Sequence, residues 1–216
     1  MADLRRLLQR EPRDLRGQDL AGADLSGKYL FDADIRQANL EAATLDGANM
    51  EGARLDGSVL TKASLANAHM AHAKFRDCRL EGADLSLSRD QRGGNHTCNY
   101  SQFSRSVLDE ANLSRTPLTY AVFEGCSLQR ADMNRAVLVA AVLQGADLRG
   151  ADLRFADLSR ARLERADLRG TNLSFTNVSG ANLEEAVYDE TTIWRGTRYN
   201  QRTRWADGER QRPPLR

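Results

Sequence analysis

Residues 33–45 read Ala-Asp-Ile-Arg-Gln-Ala-Asn-Leu-Glu-Ala-Ala-Thr-Leu, with a large apolar residue at every fifth position. The same spacing runs from Leu15 to Leu85 and resumes, in a shifted phase, from Phe103 to Ile193. Of these 34 large positions 24 are Leu, and 22 of the 34 have Ala two residues earlier. A repeat of this extent decides the architecture of the chain.

A period of five fits neither an α-helix, with 3.6 residues per turn, nor a flat strand, with a period of two. A chain that turns a corner every five residues satisfies it. The large residue and the small residue two positions before it then point inward, and the other three positions, rich in Asp, Asn, Ser, Glu, Arg and Gly, point outward. The sequence therefore predicts a solenoid whose thin core of Leu and Ala is buried by stacking of neighbouring repeats.

This pattern resembles that of the pentapeptide repeat family over residues 13–193. The resemblance implies an all-β fold, a right-handed quadrilateral β-helix with four pentapeptides in each coil. Residues 20 apart are then expected to stack at the strand spacing of about 4.8 Å. We expect one repeat block at 13–85 and a second at 103–193.

Both ends of the solenoid are predicted to be capped, because an open β-helix leaves unpaired backbone that invites other chains to pair. Residues 1–12 carry three leucines on one face of a short predicted helix, which Pro12 ends. Residues 194–216 form a predicted C-terminal cap with a basic tail. Large aromatic residues there either cover the last coil or make a homodimer contact; they are Tyr188, Trp194, Tyr199 and Trp205.

The phase of the repeat changes between Leu85 and Phe103, which lie 18 positions apart, three more than a multiple of five. The segment 86–102 has a polar centre with a Gly-Gly tip and no inward apolar pattern, so it is predicted to form a loop at one corner. Loops on rigid scaffolds often carry function. The predicted partner-binding loop, for which a tolerated insertion is the alternative, consists of Ser88, Arg89, Asp90, Gln91, Arg92, Gly93, Gly94, Asn95 and His96.

The stacking of successive coils also predicts an exposed apolar patch in the second block. Its members are Tyr120, Val122, Val137, Val139 and Val142. Contiguous apolar patches mark contact sites, so the alternatives are a protein contact and coverage by the loop. A second exposed pair, Phe155 and Phe175, is predicted to stack ring on ring.

The charges divide unevenly along the chain. The net charge is +1, but residues 11–190 hold 21 basic and 27 acidic residues, a net of −6, and the two ends together carry +7. Stacked like charges destabilise a sheet, so acidic columns would indicate a use. The predicted columns pair Asp132 with Asp152 and Asp147 with Asp167. Arginines interleave on the same coils, and Asp34 is expected over Arg54 as an ordinary charge pair.

The sequence offers no catalytic, cofactor-binding or metal-binding constellation. His69 and His72 are predicted to face solvent without a Cys or carboxylate at ligand spacing, and three cysteines argue against a disulfide framework. Neither an apolar run long enough to span a membrane nor a secretory signal is visible, so we expect a cytoplasmic protein without membrane contact. The tail after Tyr188 is rich in arginine, but its capping role argues against direct binding of nucleic acid.

One branch of the pentapeptide repeat family binds bacterial DNA gyrase and topoisomerase IV as a DNA-like rod and protects them from quinolones or natural poisons. The resemblance, the acidic body and the loop favour a non-enzymatic DNA mimic that protects gyrase or topoisomerase IV from a quinolone or an albicidin-like poison. The alternative is a general protein-interaction scaffold that uses the apolar patch and binds a partner other than a topoisomerase. The predominance of Leu and Ala at the inward positions departs from many resistance-associated members of the family.

Overall fold

The computed structural model describes residues 13–87 and 97–206. The predicted capping helix at 1–12 and the predicted loop Ser88–His96 lie outside these ranges, as does the end of the chain from 207. Within the described ranges there is no helix, and each strand is a single residue that bridges to a neighbouring coil. This part of the chain thus contains no helix that could cross a membrane.

The chain forms a four-sided solenoid. Parallel bridges join residues 20 apart, as from Asp34 to Arg54, so one coil contains four pentapeptides and the predicted stacking is confirmed. We number the walls 1 to 4 in chain order from the first described coil, whose bridge residues are Asp14, Asp19, Asp24 and Tyr29. Wall 1 runs through ten bridge residues from Asp14 to Arg204, about 43 Å at the strand spacing.

Each corner between two walls is a tight turn that begins at the large inward residue. The carbonyl of Leu40 accepts a hydrogen bond at 3.0 Å from the backbone N–H of Ala43, three residues later. The second residue after the large one has a positive φ, for example 58° at Gln37 and 64° at Gly47. Glycine adopts this conformation without a steric cost, which explains its frequency at the corners.

The core is the predicted column of large and small inward residues. Phe75, Phe103 and Phe123 are fully buried and stack with successive ring centroids 4.9 Å apart. Except at Ser101, whose hydroxyl donates to the carbonyl of Cys98 in its own turn, a Ser or Thr side chain at the small inward position binds the coil before it. For example, the Ser58 hydroxyl donates to the carbonyl of Ile35 at 2.7 Å. A hydroxyl in this core is therefore satisfied, as buried polar groups generally are.

The phase break adds chain to one coil, and the bridges of walls 1 to 3 continue across it. Lys74 bridges to Gln102, where an uninterrupted count would have reached Gly94. The inserted chain leaves after Leu87 and returns at Thr97, whose carbonyl accepts a hydrogen bond from the N–H of Met70 at 2.8 Å. The coils on either side of the insertion are thus in direct register.

The last described coil departs from the count of five. Asn172 bridges to Ile193, one position beyond Thr192, which a regular coil would have placed there. The extra residue turns Ile193 outward, where it is 46% exposed, and brings Trp194 into the core. The expectation that Ile193 is an inward residue is therefore wrong. The large inward positions of this coil are all aromatic: Tyr188, Trp194, Tyr199 and Trp205.

Candidate binding surfaces

The predicted apolar patch forms one surface across wall 4, wall 1 and the corner between them. Val122 bridges to Val142 on wall 1, while Val137 lies on wall 4. Tyr120, at the corner, is 48% exposed and Val137 is 37% exposed. We call the set Tyr120, Val122, Val137, Val139 and Val142 the valine patch.

A column of exposed rings extends the valine patch toward the N-terminus. Tyr120 stacks on Tyr100, which stacks on His72, with ring centroids 5.1 and 5.0 Å apart. The repeat count did not predict this column, because the insertion lies between His72 and Tyr100 and shifts the phase. The stretches 97–100, 117–120 and 137–140 along this side contain no charged residue.

The predicted partner-binding loop is attached one coil before the valine patch. The N–H of Cys98, just after the insertion, donates to the carbonyl of Pro117 at 2.9 Å. Pro117 in turn bridges to Val137 on wall 4. The loop residues themselves lie outside the described ranges, so their role stays a prediction.

The predicted acidic columns form, because Asp132 bridges to Asp152 and Asp147 bridges to Asp167. Three of these four carboxylates, however, bind the arginine two residues later in the same turn. The pairs are Asp147–Arg149, Asp152–Arg154 and Asp167–Arg169, with N–O distances of 2.6, 2.5 and 2.5 Å. Asp132 instead accepts the backbone N–H of Asn134 at 2.9 Å.

These ion pairs lower the pKa of the carboxyl groups. At Asp147 and Asp167 the largest cause is the hydrogen bond from the side chain of the neighbouring arginine. At Asp152 burial alone would raise the pKa, but the bonds from its arginine outweigh burial and hold the pKa below its usual range. The columns are thus ladders of alternating charge, unlike the uniformly negative stripe of a DNA strand.

A groove of about 440 Å³ lies along the corner between walls 1 and 2. It is lined by Arg16, Arg36, Gln37, Asp56, Gly57 and Asp77. Its charges are already engaged: Arg36 binds Asp34 at 2.6 Å, and Asp77 binds Arg105 at 2.7 Å. The groove therefore offers an incoming ligand few free charges.

The three cysteines of the chain are free and buried. Burial raises the pKa of Cys78, Cys98 and Cys126 to about 12, so these thiols are protonated and poorly nucleophilic at neutral pH. No group of three His, Cys, Asp or Glu in the described ranges could hold a metal ion. His69 does have a carboxylate neighbour, contrary to expectation, because Nε2 lies 3.1 Å from Oε2 of Glu51 in the coil before it.

The C-terminal aromatic residues close the core. Trp194 and Trp205 are each 4% exposed, and their rings meet edge to face at 5.7 Å. Tyr199 is 37% exposed and packs edge to face on Trp205 at 5.6 Å. These contacts are consistent with the predicted cap, which stays a prediction because the chain from 207 lies outside the described ranges. The homodimer contact stays a prediction, and two of its four residues are buried in this chain's own core.

The fold and these surfaces define a class of protein: a four-sided β-helical repeat solenoid that presents flat walls to its surroundings. The model of the family "Pentapeptide repeats" matches the chain with eight repeat copies, within residues 14–47, 29–61, 53–89, 117–154 and 146–185. The chain belongs to the pentapeptide repeat family, whose members fold into right-handed quadrilateral β-helices. The fold predicted for the repeat blocks is thereby confirmed.

Solved structures show the same likeness. HetL, a pentapeptide repeat protein involved in regulating heterocyst differentiation in the cyanobacterium Nostoc, is 30% identical over 91% of this chain and 88% of HetL, with a TM-score of 0.51. Rfr23 from the cyanobacterium Cyanothece is 24% identical over 66% of this chain and 90% of Rfr23, with a TM-score of 0.34. QnrB1, a plasmid-mediated fluoroquinolone resistance protein, is 15% identical over 87% of this chain and 90% of the compared QnrB1 chain, with a TM-score of 0.42. No curated protein matches the chain.

Proposed function

We propose that this chain is a non-enzymatic binding protein that holds a protein partner on the valine patch. One observation carries the proposal: an uncharged apolar surface stands on a chain of which 28% of the residues are charged. Tyr120 and Val137 of this surface are exposed, and its other three residues are half-buried. Pentapeptide repeat proteins are generally structural or interaction scaffolds, and HetL is involved in a regulatory process.

The geometry of the patch suits a contact between proteins. Val122 and Val142 are held in register by the backbone ladder, so the surface needs little ordering when a partner binds. Tyr120 is a large amphipathic ring of the kind that is enriched among residues dominating binding energy. Burial of apolar area contributes about 25 cal/mol per Å² before the costs of association are met.

Aspartate substitutions on the patch test the proposal. The double variant Val139→Asp/Val142→Asp would place two carboxylates in the contact, and we expect it to abolish capture of the partner from an extract of the native host. The matched control is Val59→Asp/Val107→Asp, which changes two outward, half-buried valines on wall 2. Equal capture by both double variants would refute the patch as the contact surface.

A second candidate is the DNA mimic that binds DNA gyrase or topoisomerase IV. Two observations support it: the stacked acidic columns and a wall of about 43 Å. The arginine partners of three of the four carboxylates weaken it, because a mimic must present unpaired negative charge. The geometry supports the scaffold better than the mimic.

A supercoiling assay with purified DNA gyrase distinguishes the two. A mimic inhibits supercoiling or rescues it from a quinolone or albicidin at micromolar concentration; a protein with neither effect is not a mimic. The variant Arg149→Gln/Arg154→Gln/Arg169→Gln releases three carboxylates and should strengthen the effect of a true mimic. Deleting Arg89–Asn95 should reduce rescue without unfolding the protein, and unchanged rescue would remove the loop from the mechanism.

A further inference from the structure

The fold collects arginines on wall 4 of the last coils. Three stretches lie one above another there, 154–160, 174–180 and 195–202, and the ladder from Asp157 through Asn177 to Arg198 joins them. They contain five arginines and one acidic residue, Asp157. Arg195, Arg198 and Arg202 belong to the basic end that the sequence shows, and the fold places Arg154 and Arg160 of the acidic body beside them.

Four of these arginines lack the carboxylate partner that several arginines at other corners have. Arg105, Arg130 and Arg165, at other corners, each bind a carboxylate. In the described ranges no ion pair involves Arg160, Arg195, Arg198 or Arg202. We call these four residues the basic surface. The fifth arginine of the three stretches, Arg154, instead forms an ion pair with Asp152 on wall 3.

Two of the unpaired arginines converge on one corner. A methyl group placed on Gly180 would lie 3.8 Å from Cγ of Arg160 and 3.9 Å from Cβ of Arg202. The two side chains thus leave the same corner column from the coils before and after Gly180. Two positive side chains on one corner column favour the binding of an anion.

The single carboxylate of this region does not neutralise the basic surface. Asp157 accepts the N–H of Ser159 at 2.9 Å and the side-chain amide of Asn177 at 3.0 Å. Its Oδ1 accepts both bonds along wall 4, and Asp157 forms no ion pair with a described arginine. The region keeps a net positive charge.

The groups between the arginines favour one kind of anion. Outward positions beside them are hydroxyl and amide side chains: Ser159, Asn177, Ser179 and Asn200. Arginine, serine and asparagine are among the side chains that bind phosphate oxygens and sugars in nucleic-acid complexes. Two exposed rings, Phe155 and Phe175, lie in the same stretches, and the bases of a single strand stack on such rings without sequence preference. The wall is flat, with no helix or ribbon in the described ranges that could enter the groove of a duplex.

We propose that the basic surface binds the sugar-phosphate backbone of single-stranded nucleic acid, without base specificity. The basic surface adjoins the valine patch on wall 4, where Val137 bridges to Asp157, but the two surfaces share no residue. The proposal does not depend on the protein partner proposed above. The sequence argued against nucleic-acid binding on the strength of the tail alone. The structure places three arginines of that tail, Arg195, Arg198 and Arg202, on one side of the solenoid with Arg160 of the repeat body.

The test is fluorescence anisotropy with a labelled oligo(dT) of about 20 nucleotides at salt concentrations of about 50 to 200 mM. The site variant is Arg160→Gln/Arg198→Gln/Arg202→Gln. The matched control, Arg105→Gln/Arg130→Gln/Arg165→Gln, removes the same amount of charge from other corners. If four phosphates are contacted, the logarithm of affinity should fall against the logarithm of salt with a slope of about −2.8, and the site variant should flatten the slope to about −0.7.

We expect the site variant to bind at least about tenfold more weakly at low salt and the control to bind within about twofold of the unaltered chain. Far-UV circular dichroism verifies folding, and the single variant Arg198→Lys, which keeps the charge, should retain most of the binding. Absence of binding by the unaltered chain at about 50 mM salt would overturn the proposal. Equal weakening by both triple variants would overturn it as well. Competition by poly-L-glutamate as effective as that by unlabelled oligo(dT) would replace nucleic acid with an acidic protein as the ligand.

Discussion

Replacing Gly196 with alanine would disturb the contact between the last two coils at one defined point. Gly196 lies at a corner with a φ of 67°, and a methyl group on it would lie 2.7 and 2.8 Å from Cδ1 and Cε1 of Phe175. The Phe175 ring cannot simply move away, because it stacks on Phe155 with ring centroids 5.1 Å apart. The substitution must therefore strain the corner and also displace a packed ring.

The size of the effect follows from these two contributions. An alanine in the left-handed region costs about 1 kcal/mol or somewhat more. Loss of the stacked phenylalanine pair costs about 0.5–1.5 kcal/mol. Gly196→Ala should thus lower the free energy of unfolding by about 2–3 kcal/mol. Gly145→Ala is the matched control, because Gly145 has a φ of 65° but no atom within 4 Å of the added methyl group.

The chain supplies its own probe for this measurement. Its two tryptophans, Trp194 and Trp205, both lie in the last coil. Tryptophan fluorescence during urea unfolding therefore reports that coil, while far-UV circular dichroism reports the whole solenoid. Because each coil contacts only its neighbours, we expect the fluorescence midpoint to fall more than the circular dichroism midpoint.

A double variant shows whether the ring causes the penalty. In Phe175→Ala/Gly196→Ala the clash is absent, so Gly196→Ala should cost about 1 kcal/mol less in this background than alone. The reasoning is refuted if Gly196→Ala destabilises the last coil no more than Gly145→Ala does. It is also refuted if removal of the Phe175 ring leaves the penalty unchanged.

Three further predictions concern the core, the ion pairs and the thiols. Leu138→Ala, at a fully buried position, should lower the free energy of unfolding by about 2–5 kcal/mol in urea titrations, and a loss below about 1 kcal/mol would contradict the packing described. The pKa of Asp167 is lowered in the fold, so its ion pair stabilises above the unfolded pKa of about 3.9 and is lost as the pH falls through the lower folded value. The melting temperature should therefore fall between about pH 6 and pH 3, less so in Arg169→Gln, and an identical fall in both proteins would contradict this contribution. The three buried cysteines, whose thiols have a pKa of about 12, should react slowly with Ellman's reagent in the native protein and fully in denaturant; rapid native reaction would show that the core opens.

Much of the architecture could be predicted because the repeat is local and regular. The count of five placed Val122 beside Val142, and Phe155 on Phe175, without knowledge of any long-range contact. Each pair lies within an uninterrupted block, where a vertical neighbour is simply four pentapeptides away.

The failures occur where the length of a coil changes. Because of the insertion after Leu87, the repeat count did not predict the stacking of Tyr100 on His72. One extra residue before Ile193 turns Ile193 outward and places Trp194 in the core instead. In both places the vertical partner depends on how many residues the coil needs to close. The period of five does not predict how many residues such a coil contains.

The sequence by itself determined which side chains face the core and where the chain turns, because these follow from the sterics of five consecutive residues. It also determined that the solenoid has no ordinary globular core. Only the tertiary structure decided which outward residues share a wall. Which residues share a wall depends on how many residues each coil needs to close. In the structure Asp167 forms an ion pair with Arg169 within one turn. Arg160 and Arg202 lie on one corner column and form no ion pair with a described carboxylate. A linear count of charge cannot distinguish these two outcomes, since wall and neighbour are properties of the stacked coils.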